Sequence, residues 1–125
     1  MRLPRRAALI ACALLLGSAL SVHAQPTPAS PRVVLVVSIK AKPGQEARFE
    51  AVFREFARKV RDSGLAQEFQ LTRTATLGSY KLVEMFKDEA ALAAHRALPH
   101  TKAFGATFGE FLDGPNKAEQ LAAID

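Results

Sequence analysis

The sequence has no tryptophan, one tyrosine (Tyr80), one cysteine (Cys12) and no apolar run long enough to span a bilayer. Each shortage excludes something. With its only cysteine in the leading segment, the rest of the chain can form no disulfide, thiolate metal site or cysteine nucleophile. Any aromatic wall has to be built from eight phenylalanines and Tyr80. The longest apolar stretch, Ala7 to Leu20, has 14 residues, where a membrane helix needs about 20.

What is there begins with an export signal. Arg2, Arg5 and Arg6 precede the apolar stretch, and Val22-His23-Ala24 offers small residues where a signal peptidase reads. Cleavage after Ala24 is expected, which places the protein in a periplasm or outside the cell with no stable membrane anchor. Leu9-Ile10-Ala11-Cys12 superficially resembles a lipoprotein site, but most of the apolar stretch follows the cysteine, the wrong order for lipidation. Three of the 17 basic residues lie in this segment, leaving 14 against 12 acids, a net of +2 instead of +5. The remaining bases alternate with acids, as in Glu46, Arg48, Glu50, Arg54, Glu55 and Arg58. That is a solvated helix face and not a phosphate-binding stripe, so no nucleic-acid partner is expected.

The chain reads as residues 1–24 signal, 25–31 a proline-rich disordered spacer, and 32–125 one α+β domain. Arg32 to Lys40 is a β-branched strand with both faces largely buried, ended by Lys42-Pro43-Gly44. Phe49, Phe53, Phe56 and Val60 mark an amphipathic helix from Gln45 to about Asp62, stopped at Ser63-Gly64. Strands are expected at Gln67 to Arg73 and Tyr80 to Phe86, and a helix from Glu89 to Leu98 capped by Asp88. Pro99 ends it; Thr101 to Leu112 is a further helix striped by Phe104, Phe108 and Phe111, and Ala118 to Ile124 a last strand. The order β-α-β-β-α-β is that of the ferredoxin-like fold with an antiparallel sheet. Helices on one side leave the other face of the sheet open. That exposed face and the small core of about 100 residues both point to a homodimer.

The segment Tyr80-x-Leu82-x-Glu84-x-Phe86, Asp88-Glu89-x-Ala91-Leu92-x-x-His95, Pro99-His100-x-x-x-Phe104, together with the strand closed by Lys40-Ala41-Lys42-Pro43-Gly44, resembles the antibiotic biosynthesis monooxygenase domains. The resemblance covers about residues 32 to 124 and implies a dimeric α+β barrel with a cleft between sheet and helices in each protomer. Members oxidise small aromatic or quinol-type substrates with O₂, often without a metal or organic cofactor, and none is expected here. The haem-degrading branch uses an Asn, a Trp and an axial His, and the matching positions here hold Val37, Phe86 and Gly105. The resemblance therefore does not extend to haem degradation.

His95 and Glu84 are the candidate catalytic pair because each is a titratable group set among apolar residues. His95 could be a general base or a hydrogen-bond partner for substrate, or a structural histidine satisfied by Glu84 or a backbone carbonyl. Glu84 could orient His95, act as the base, or pair with an arginine across a dimer. Tyr80, Phe86, His100, Phe104 and Phe108 are the candidate substrate contacts; the phenylalanines could equally be core, and His100 a helix cap. His95 and His100 are five residues apart across Pro99, which is not helical ligand spacing, so no metal site is expected.

Overall fold

A computed structural model describes residues 31–124, so the expected export signal and nearly all of the spacer lie outside the described residues. The order is β1 (Val33–Lys40), α1 (Glu46–Ser63), β2 (Ala66–Arg73), β3 (Ser79–Phe86), α2 (Glu89–Ala97), α3 (Pro99–Phe108) and β4 (Lys117–Ala122). The sheet runs β2-β3-β1-β4, every pair antiparallel. This is the ferredoxin-like α+β fold.

Local chemistry explains the boundaries. Lys42 C=O accepts from Gln45 N–H at 3.0 Å across Pro43-Gly44, and Gly44 has φ 81°. Proline at the second turn position and glycine at positive φ in the third make a type II turn, which delivers the chain into α1. Gly64, at φ 69°, closes α1 in the left-handed conformation. The Asp88 carboxylate accepts from Ala91 N–H at 2.8 Å, the expected cap of α2.

Both ends of α3 differ from the sequence reading, and β4 stops at Ala122 instead of Ile124. Pro99 opens α3 at its first helical position, where its missing N–H costs nothing, and forces Leu98 to φ −64°, ψ 141°. His100 therefore lies inside the first turn and is not the cap. At the other end α3 stops at Phe108 instead of Leu112. Phe111 and Leu112 leave the helix to enter the core, where Leu112 bridges Ala41 and Phe111 C=O accepts from Lys42 N–H at 2.7 Å.

Val33, Leu35, Val37 and Ile39 point under the helices and are buried, while Val34 and Val36 on the opposite face remain partly exposed. That second face is a row of Leu121, Val34, Met85 and Glu68 beside a row of Glu119, Val36, Val83 and Gln70, with Lys117, Ser38, Lys81 and Thr72 making a polar third row. In a single protomer β1 is thus buried on one face only. Beneath the helices lie two apolar clusters, one around Phe49, Phe53, Phe56, Val60, Phe69 and Leu82, the other formed by Val33, Leu35, Phe86 and Leu92.

Candidate functional site

Glu84 and His95 lie where these clusters meet. On β3, Glu84 follows the inward alternation of Leu82 and Phe86, and its cross-strand neighbours are Leu35 and Phe69. A carboxylate ringed by hydrocarbon loses most of its hydration. The residue is only 9% exposed, and burial pushes its pKa up from 4.5 to about 7, with the Arg96 cation partly opposing. Glu84 is thus poised between its acid and base forms at neutral pH.

His95 shares the inward face of α2 with Leu92 and is 4% exposed. Its ring sits among Phe86, Phe69 and Phe56, at centroid distances of 5.1, 5.9 and 6.4 Å. Burial, followed by the nearby His100 and Arg96, holds its pKa below 6.5, so the imidazole is neutral at pH 7. Its Nδ1 is buried with no hydrogen-bond partner, as is Thr101 Oγ1. Buried polar atoms are nearly always partnered, so these two, on residues that line one cavity, are groups with hydrogen-bonding capacity to spare.

That cavity has a volume of about 260 Å³. Its polar lining is Glu84, His95, Arg96, Thr101 and Asn116, and Phe53, Phe56, Phe104 and Phe108 supply aromatic wall. Phe56 and Phe104 stack with centroids 4.0 Å apart and planes at 1°, closing one side. Val37 and Gly105 also line it, whereas Phe86 is wholly buried behind His95. Ligand sites for drug-sized molecules run to about 300–1,000 Å³, so the space suits a one- or two-ring molecule. Among the described residues no group of three or more His, Cys, Asp and Glu is placed to hold a metal ion.

The structure therefore brings Glu84, His95, Phe104 and Phe108 together around one space. It shows no hydrogen bond between Glu84 and His95. Tyr80 lies elsewhere, beneath α1, donating its hydroxyl to Glu50 at 3.0 Å. His100 faces a separate groove between α1 and α3 with Val52, Lys59 and Thr107, its Nε2 buried and unpartnered. Arg96, Thr101 and Asn116 were not foreseen. Arg96 and Thr101 flank foreseen residues in the chain, but nothing in their spacing marks them as cavity-lining; Asn116 arrives from the loop after Gly114-Pro115.

Comparison with known proteins shows the same fold. A family model described as antibiotic biosynthesis monooxygenase matches residues 32–107. The chain is 32% identical to a presumptive antibiotic biosynthesis monooxygenase from Caulobacter crescentus CB15. Their structures superpose with a TM-score of 0.74 over 78% of this chain and 93% of that one. Rv0793 from Mycobacterium tuberculosis shares the fold at 24% identity and TM-score 0.70, covering 75% and 96% of the two chains. A presumptive antibiotic biosynthesis monooxygenase from Nitrosomonas europaea does so at 18% and 0.71, covering 76% and 92%. None of the curated proteins searched matches. With the match spanning most of the folded domain, the chain belongs to the antibiotic biosynthesis monooxygenase domain family.

Proposed function

We propose that this protein is an exported monooxygenase of that family, acting on a small phenol or quinol with O₂ in the cavity between β3 and α2. One observation carries the reading: a buried carboxyl with a pKa of about 7 and a neutral imidazole with an unpartnered nitrogen share an open, phenylalanine-walled space. A side-chain-filled cleft would instead have favoured the alternative, a non-catalytic small-ligand-binding or structural dimer of the same fold.

The chemistry assigned to each group follows from its state. Ionised Glu84 takes the phenolic proton as the general base. His95 and Thr101 hold the substrate oxygen by hydrogen bonds. The phenolate carries electron density to its para carbon, which forms a C–O bond to O₂. The peroxide takes up the proton held by Glu84. Its O–O bond then breaks as the ring C–H proton departs, leaving a quinone carbonyl and one water. All four electrons that reduce O₂ come from the substrate, and the reaction consumes one phenol and one O₂. The phenylalanine side of the cavity keeps water from one face of the ring and leaves it to O₂.

Two further features belong to the proposal. The apolar outer face of the sheet, Val34, Val36, Val83, Met85 and Leu121, supports a homodimer that packs sheet against sheet. The basic and apolar segments before Ala24 support export to a periplasm or beyond.

O₂ consumption with a panel of one- and two-ring phenols and quinols tests the reading. Turnover is expected with at least one, accompanied by quinone absorbance, and lost in His95→Ala while the circular dichroism stays native. Equal turnover in that variant would remove His95 from the chemistry.

A further inference from the structure

A second and larger cavity, about 530 Å³, lies on the far side of Phe53, between α1 and the edge strand β2. Its charged lining is Arg54, Arg61 and Arg73 against the one carboxylate of Glu50, and its apolar lining is Phe53, Ala57 and Leu71. The carboxylate is already spent. Glu50 Oε1 accepts from Arg73 Nε at 2.7 Å and from the Tyr80 hydroxyl at 3.0 Å. Its Oε2 accepts from one terminal nitrogen each of Arg73, at 2.6 Å, and Arg54, at 3.2 Å.

The guanidinium groups are not spent. Each has five N–H donors; Arg73 uses two on Glu50 and Arg54 one. Arg61 gives one, to Phe69 C=O at 3.0 Å. Three cations against one anion leave two positive charges facing the cavity. The two-bond contact with Glu50 orients the Arg73 guanidinium, which lowers the entropy of engaging a ligand there. Arg54 and Arg61 are seven residues apart on one face of α1, about 10 Å along its axis, so they flank the space lengthwise with Ala57 between.

We propose that this groove binds a small organic anion, a carboxylate or sulfonate whose head bonds the arginines and whose apolar body lies on Phe53, Ala57 and Leu71. Guanidinium forks match the two oxygens of such heads. An inorganic anion would leave the apolar floor unused. The site is independent of the Glu84–His95 cavity: Phe53 lines both, but no charged or polar residue is shared.

The test uses the full chain and 2-naphthalenesulfonate, followed by titration calorimetry and backbone amide shifts. Saturable binding is expected, with shifts clustered at Arg54, Arg61, Leu71 and Arg73. Affinity should fall about tenfold in Arg61→Gln, further in the Arg54→Gln/Arg61→Gln double variant, and about tenfold for the uncharged analogue 2-naphthalenemethanol. The idea is overturned by unchanged affinity in the double variant, by equal binding of the uncharged analogue, or by shifts confined to His95 and Gly105. Inorganic sulfate competing as well as the naphthalene compound would also overturn it, because the apolar floor would then contribute nothing. The uncharged analogue and the shift map need no substitution, so they decide the matter even if the double variant misfolds.

Discussion

Glu84 and His95 face the same cavity, one from a strand and one from a helix, without a hydrogen bond between them. Each is therefore left to its own burial, which moves the two groups toward neutrality from opposite directions: the acid gains affinity for its proton and the base loses it. Had they formed an ion pair, each would have stabilised the other's charge and neither would be available to a ligand.

Burial of Glu84 makes stability pH-dependent. Its pKa is higher folded, about 7, than unfolded, 4.5, so the folded state binds the extra proton in that window. The contribution is fully present below about pH 4.5 and is lost as pH rises to about 7. Glu84→Gln mimics the protonated form. The variant is expected to be more stable than the native chain by about 3 kcal/mol at pH 8, with the gap falling below about 1 kcal/mol at pH 5. Urea unfolding at the two pH values checks this. His95 acts in the other direction: its lowered pKa means a contribution present above pH 6.5 and lost as pH falls below it.

Tyr80 provides a clean optical readout because it is the only tyrosine and there is no tryptophan. Burial, then its hydrogen bond to Glu50, pushes the phenol up to about 12. At about pH 11, one unit above the usual phenol value, the native chain should show little tyrosinate absorbance at roughly 295 nm. Glu50→Gln removes the negative partner, and the absorbance should rise while the far-ultraviolet dichroism remains native. Identical titrations would mean that the Glu50 contact does not set the state of this hydroxyl.

Gly105 lines the cavity, and a methyl group added there would meet nothing within 4 Å. Gly105→Ala is expected to stabilise the chain by about 0.5–1 kcal/mol through helix propensity alone. Gly105→Leu should keep that stability but fill the space, abolishing substrate binding. Thermal melts combined with ligand titration separate the two effects. Wild-type binding by the Leu variant would show that the ligand lies elsewhere.

The proposed homodimer rests on the outer face of the sheet, so a second acid set beside Glu119, in place of a central valine, should break it. Val36 pairs with Val83 on one side and Glu119 on the other. Val36→Asp is expected to shift the mass measured by light scattering from two chains to one. A dimeric mass in this variant would place the contact on another surface.

The sequence was most legible where one periodicity dominated. The alternation of β1, the phenylalanine stripe of α1 and the Asp88 cap each depend on local spacing, and all three elements form where expected. It was least legible around Pro99 and Phe111. A proline can end one helix or open the next, and only the tight Leu98 link shows that here it does both. Phe111 continues the stripe of α3 in sequence, but pairing of the following residue with Ala41 pulls it out of the helix. In the site, Glu84 and His95 stood out because a polar residue on an apolar face is visible locally. Tyr80 and Glu50 are 30 residues apart and met only through the hairpin of β2 and β3. No spacing rule could have joined them.

The most direct measurement is the pH dependence of O₂ consumption by the native chain and by Glu84→Gln, with a phenol that the panel shows to be turned over. A general base with a pKa of about 7 predicts a native rate that rises with pH through a midpoint near that value, and a variant that is folded, binds the phenol and is slower by at least about 100-fold. A Glu84→Gln enzyme with the native rate and the same midpoint would contradict the account.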